Sequence, residues 1–238
     1  MKHKMIGVIG GMGPQASAEL YRLLIEGAKQ RYGAQNNDDF PEILIDSVPV
    51  PDFLSDTREM EKAAVMLEDR TRRLTRYGAS VISIACNTAC LLHDRLSRQT
   101  SAPFISVVDE VVCEVSKRHT RVLLLASPTS LRLGLYQIAL SRYGLSYVVP
   151  PEKCHREIEH IIRGVIEGGE RPFLMKKLVR LTENILTNEY VNGIVLGCTE
   201  LPLVFPVPYR LPVYNSLSIL AESLLKRYYK KEARLTLL

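Results

Sequence analysis

No stretch of the sequence is apolar for long enough to cross a bilayer as a helix, which takes about 20 such residues. The basic start MKHK is followed by only a few apolar residues before the glycine-rich GGMGP, so a secretory signal core is not expected either. Cysteine is scarce and odd in number, five in 238 residues. A chain of this length can bury a core without disulfides, so the expectation is free thiols in a reducing, cytoplasmic setting. Strong charge of one sign is also missing: 31 basic and 26 acidic residues leave a net charge of +5. The densest basic run, Lys226, Arg227, Lys230 and Lys231, reads as the solvated face of a terminal helix. With no nucleic-acid motif beside it, neither nucleic acid nor a membrane surface is an expected partner.

What the sequence does contain is a rhythm of short aliphatic runs and longer segments of helical period. MIGVIG (5–10), EILIDSV (42–48), SVISIA (80–85), PFISVV (103–108), RVLLLAS (121–127), LSYVVP (145–150), NGIVLGC (192–198) and LPVYNS (211–216) read as strands. Between them, 18–32, 60–78, 132–144, 155–169, 173–189 and 217–232 read as helices. Strand, helix, strand in this order implies parallel pairing through helical crossovers, hence an α/β protein.

The halves repeat each other weakly. GVIGGMGPQ matches LLLASPTSL, SVISIACNTA matches GIVLGCTELP, and PFISVVD matches LPVYNS, in the same order and at nearly equal spacing. A duplicated α/β unit is the favoured reading. In an open parallel sheet, ligands bind outside the carboxyl ends of the strands. Cys86 and Cys198 both stand at such ends, so two like domains facing each other would bring both thiols to one cleft. Polar residues follow each cysteine, and a helix N-terminus near each would lower its pKa toward neutrality. Such a thiol suits general acid–base work.

Competing motifs are weaker. GMGPQA (11–16) has the spacing of a G-x-G-x-x-A dinucleotide turn, yet Pro14 follows the second glycine and the next strand's acid, Asp46, lies later than the fingerprint expects. A turn offering backbone N–H groups to a small anion fits as well. Cys86-x3-Cys90-x2-His93 departs from zinc spacings and has no second ligand pair, so no metal is expected. His93 reads as a solvated surface histidine. Cys90 reads equally as a small buried hydrophobe or as a functional thiol.

MIGVIGGMGP, ACNTA and GCTELP, with LLLASPTSLRLGLY between them, resemble the aspartate/glutamate racemase family, in particular its aspartate racemase branch. The resemblance runs nearly end to end. It implies two pseudo-symmetric three-layer α/β/α domains with mainly parallel sheets and an active site in the cleft between them. We expect residues 1–102 plus 212–238 in one domain and 103–211 in the other. The resemblance further implies a homodimer, no cofactor, and racemisation of a small amino-acid substrate by Cys86 and Cys198 as opposed acid–base catalysts. Asn87, Thr88, Thr199 and the Ser127–Ser130 turn would stabilise the substrate carboxylate, and Met12, Gly13, Asp52 and Glu200 complete the expected substrate-binding set.

The sequence departs from the family pattern at three places. Pro51-Asp52-Phe53 stands where members commonly read P-D-R, Ile166 stands where some carry a lysine, and Cys90 replaces the histidine of CNTAH. Arg58, from the same loop as Phe53, is a possible substitute for the missing arginine. Aspartate or glutamate is the first substrate expectation, followed by a broader range of less acidic amino acids. The alternatives are isomerisation or decarboxylation of a small dicarboxylate, and a non-catalytic ligand-binding protein.

Overall fold

The computed structural model describes residues 4–52 and 57–230. Phe53 and Lys231 therefore lie outside the described residues. The elements follow the expected alternation: β1 (Ile6–Gly10), α1 (Pro14–Tyr32), β2 (Ile43–Ser47), α2 (Met60–Arg76), β3 (Val81–Ile84), α3 (His93–Ser97), β4 (Phe104–Ile105) and α4 (Val107–Ser116). The second half continues with β5 (Arg121–Ala126), α5 (Pro128–Arg132), α6 (Leu135–Arg142), β6 (Ser146–Val148), α7 (His155–Ile166), α8 (Arg171–Leu186), β7 (Gly193–Gly197), β8 (Val213–Asn215) and α9 (Ser216–Tyr229). The strands form two four-stranded sheets, β2-β1-β3-β4 and β6-β5-β7-β8. All pairings are parallel. The two orders superpose strand for strand, which is the topology that the internal repeat implies.

Two short strands close the sheets, one at each crossover of the chain. Phe104–Ile105 pairs with β3 and so completes the first sheet. Val213–Asn215 pairs with β7 and completes the second sheet. Each short strand closes its own sheet before the chain crosses over. The helix that follows makes the crossing, capped by a polar side chain at the strand's end. Ser106 Oγ accepts from the Asp109 N–H at 3.2 Å, and Asn215 Oδ1 accepts from the Leu217 N–H at 2.9 Å. Each satisfies a donor that the first helical turn would otherwise leave unpaired.

That cap also explains a misread segment. Val107 and Val108, expected as strand, open α4, and Val107, Val108, Val111, Val112 and Val115 are all buried along it. These are β-branched residues at helical spacing, so the period decides the structure over the propensity.

Packing joins the halves. Strand β5 sends Val122, Leu124 and Ala126 to one face and Leu123 and Leu125 to the other, as the twofold period of a strand requires. The first set joins a continuous core with β1, β3, α1, α4 and α9. The second packs with Ile158, Ile161, Ile162, Leu178 and Leu181 of α7 and α8. Helix α9 lies against α1 so closely that a Cβ on Gly27 would stand 2.6 Å from Leu225 Cδ1. Among the described residues, no helix is long and apolar enough to cross a membrane.

Candidate active site

The carboxyl ends of β1, β2 and β3 in the first sheet and of β7 in the second open onto one cavity of about 250 Å³. From the first half come Gly11, Met12, Gly13 and Pro14 after β1, Val50, Pro51 and Asp52 after β2, and Cys86 and Thr88 after β3. From the second come Cys198 and Glu200 after β7, with Arg163 and Ile166 from α7. Its volume lies below the range usual for drug-sized ligands and suits a small metabolite.

The turn after β1 is built to approach this cavity closely. Gly11 has φ +95°, and a Cβ there would meet the Val48 carbonyl at 2.6 Å, so only glycine fits. Ser17 Oγ, one turn into α1, accepts from the Gly11 N–H at 3.0 Å and donates to the Gly13 carbonyl at 3.2 Å, tying the turn to its helix. The Gly13 N–H in turn donates to Glu200 Oε1 at 3.1 Å, a bond between the two halves. The GMGPQA spacing is therefore accounted for by the turn's own geometry and this inter-half contact.

Glu200 is 3 % exposed and is held by three donors. Besides Gly13, Cys198 Sγ donates to its Oε2 at 3.0 Å and Thr199 Oγ1 donates to the same oxygen at 3.0 Å. The carboxylate is thus fixed against one thiol. Cys86, partly buried and contributed by the first half, lies beside Thr88, whose hydroxyl shares a 2.8 Å hydrogen bond with Ser127 Oγ.

The thiols are not poised near neutrality as expected. Burial, followed by the Glu200 charge, pushes Cys86 up to about 12. The same two causes, in the same order, push Cys198 well above the ordinary thiol range. The expectation rested on a helix N-terminus after each cysteine. Here the chain forms only short 3-10 turns, Thr88–Leu92 and Leu201–Leu203, which offer little dipole against desolvation and a nearby anion. The Thr88 and Ala89 N–H groups pull Cys86 down, but by less.

Of the expected substrate-binding residues, Met12, Gly13, Asp52, Thr88 and Glu200 line the cavity, as do both cysteines. Asn87, Ser127, Ser130 and Thr199 do not. Asn87 is buried beneath it, with Nδ2 donating to Ser216 Oγ at 3.1 Å and Oδ1 accepting from the Tyr136 hydroxyl. Ser127 caps α5, accepting from the Ser130 N–H at 3.2 Å while it meets Thr88. Thr199 is turned to Glu200. These four hold the lining in place from behind.

One other reading, that of His93, is corrected. Cys90 and His93 line a separate cavity of about 230 Å³ with Ser106 and Asp109, so the Cys86–Cys90–His93 cluster does not converge. His93 is partly buried, not a surface residue: its Nε2 lies 3.2 Å from the Phe104 carbonyl and its ring packs edge-on against Phe104. Cys90, in the turn Thr88–Leu92, is 6 % exposed, and burial holds its thiol up at about 12 despite the Val108 and Val107 N–H groups at the start of α4. Arg163 was missed. It is one turn before Ile166 on the same face of α7, and that spacing was the available signal. Arg58, the expected substitute cation, is not among the lining residues.

Residues 9–224 match the family described as Asp/Glu/hydantoin racemase. The chain belongs to that family. Its members are racemases, so the protein is an isomerase by family. The chain is 25% identical over 228 residues to the broad specificity amino-acid racemase RacX of Bacillus subtilis, covering 94% of this chain and 98% of that one. It is 31% identical over 136 residues to the glutamate racemase of a Roseiflexus species, covering 56% of this chain and 48% of that protein. Among solved structures, an aspartate racemase homologue from Pyrococcus horikoshii superposes with a TM-score of 0.79 at 30% identity, over 97% of this chain and all (100%) of that one. The Picrophilus torridus aspartate racemase shares the fold, with a TM-score of 0.82 at 24% identity, over 97% and 96% of the two chains.

Proposed function

We propose that this racemase inverts α-amino acids by passing the α-proton between Cys86 and Cys198. The observation that carries the reading is that equivalent strand ends of two matched sheets deliver a thiol each to one small cavity. An α-proton is very weakly acidic, so the base must act on a held substrate with water excluded. One cysteine as thiolate takes the proton, while the other, as thiol, gives its own to the opposite face of the α-carbon. Configuration inverts, and the thiol and thiolate exchange roles.

Glu200 supports this exchange on the Cys198 side. Glu200 Oε2, accepting from the Cys198 thiol at 3.0 Å, orients the sulfur that gives its proton as thiol and takes one back as thiolate. The ammonium group of an entering amino acid favours that thiolate by proximity. Charge developing on the substrate carboxylate is met by the Thr88 hydroxyl and the turn at Met12 and Gly13. Both proton-handling groups are thus side chains of this chain, which supports a cofactor-independent reaction.

At the solvent side of the cavity Arg163 offers a cation, Asp52 an anion and Ile166 an apolar surface. This mixed lining, with the similarity to a broad-specificity racemase, supports a range of side chains over strict selection of aspartate or glutamate. The expected homodimer belongs to the same reading and is checked by sedimentation of the intact chain. The decisive test is incubation in D2O with single enantiomers of an amino-acid panel, following α-proton exchange by NMR and inversion by polarimetry. Exchange with inversion for some members is expected; no exchange with any of them removes the reading.

A further inference from the structure

Toward solvent, the cavity ends in an ion pair that bridges the two halves. Arg163 Nη2 lies 2.8 Å from Asp52 Oδ2, and its Nε lies 2.8 Å from Glu159 Oε1, one turn earlier on α7. Asp52 comes from the loop after β2 and Arg163 from α7, so the pair spans the cleft. Their side chains remain 54% and 38% exposed, whereas Cys198 and Glu200 at the inner end are each 3 % exposed. Among the described lining residues Arg163 carries the only positive charge, against Asp52 and Glu200.

This arrangement sets a condition on the substrate's side chain. A distal carboxylate has one cationic partner to reach, and Asp52 already occupies it. To bind there, the substrate must displace Asp52 or share the guanidinium with it, two like charges at one cation. An uncharged side chain leaves the pair intact and rests on Ile166, one turn along α7. We propose that Asp52 is a built-in competitor for Arg163, so that the Asp52–Arg163 pair is the specificity filter of this site, admitting uncharged side chains and holding back acidic ones. The proposal rests on the amino-acid racemase reading above and names the substrate class for it.

The test compares kcat/KM for α-proton exchange in D2O with aspartate, glutamate, alanine and serine, for the intact chain, Asp52→Asn and Arg163→Gln. The readout is the ratio of acidic to uncharged substrates, so a general loss from loosened packing cancels. Asp52→Asn should raise that ratio about tenfold, the scale of one charge-assisted hydrogen bond. Arg163→Gln should lower it. A ratio unmoved in both variants, or moved the same way in both, overturns the filter while leaving the racemase reading standing. No exchange by the intact chain with any amino acid defeats the racemase reading, and the filter with it.

Discussion

In the first half of the molecule, the strand that ends at Cys86 runs on into Asn87 and Thr88; in the second, the strand that ends at Cys198 runs on into Thr199 and Glu200. The sheets have the same order, the cysteines the same place, and the residue two positions later reaches the same cavity. What differs is its chemistry: a neutral hydroxyl beside one thiol, a buried carboxylate bonded to the other. The turns after the first strand of each sheet diverge too. The Gly11–Gly13 turn lines the cavity, while the Ser127–Ser130 turn is buried behind it. Duplication therefore fixes where the reactive groups stand, and the residues just after them decide how each is charged and held. The proposed reaction needs two opposed proton carriers, not two identical ones.

That comparison can be broken from either side. Glu200→Gln removes the charged acceptor that orients Cys198 and should lower racemisation about 100-fold, within the usual span for a general acid–base group. Exchange of the enantiomer served by Cys198 should fall more than exchange of the other, as NMR in D2O would register. Equal losses for both enantiomers would mean that Glu200 acts only as a structural tie. On the opposite side, Thr88→Val removes one neutral hydroxyl and should cost about tenfold or less in kcat/KM, with exchange of the two enantiomers lowered alike.

Thiol chemistry sharpens the comparison further. Cys86 is partly buried and Cys198 nearly fully buried against Glu200, so iodoacetamide should label Cys86 before Cys198, as peptide mapping by mass spectrometry would show. Both reactions should be slow at neutral pH and accelerate as pH rises, because the thiolate is the nucleophile. In Glu200→Gln, labelling of Cys86 should quicken, since the Glu200 charge is the second cause of its raised pKa.

A further expected effect is on stability. Cys86 holds its proton to about 12 in the folded chain, against an ordinary thiol value of about 8.5 in the unfolded one. The folded state binds that proton more tightly, so the contribution is fully present below the ordinary value and is lost as pH rises toward the folded one. The denaturant midpoint should fall between pH 8 and pH 11, and Cys86→Ser should flatten the fall.

Much of this was legible in the sequence. The repeated strand–cysteine–polar pattern gave the duplicated parallel α/β unit and the place of both thiols at strand ends, because a buried strand announces itself by its aliphatic run and a strand end by the polar residues after it. Thr88, Glu200 and Gly13 were legible by adjacency to those ends. Adjacency failed for Asn87 and Thr199, since neighbours along an extended or turning chain point in different directions, and both turned to protein partners behind the lining. Arg163 and its pairing with Asp52 join residues far apart in the chain, which depends on how α7 lies across the cleft. The α4 helix was hidden by valines that favour strands, until its Ser106 cap is taken into account.

The claim that most needs testing is that Cys86 and Cys198 face opposite sides of one α-carbon. The direct measurement is α-proton exchange of each pure enantiomer in D2O by Cys86→Ala and by Cys198→Ala, with an amino acid that the intact chain inverts. Each variant keeps one base and should lose inversion by about 1,000-fold. Each should still exchange the proton of a single enantiomer, and the two variants should select opposite ones. Exchange of the same enantiomer by both variants, or inversion surviving in either, would contradict the account.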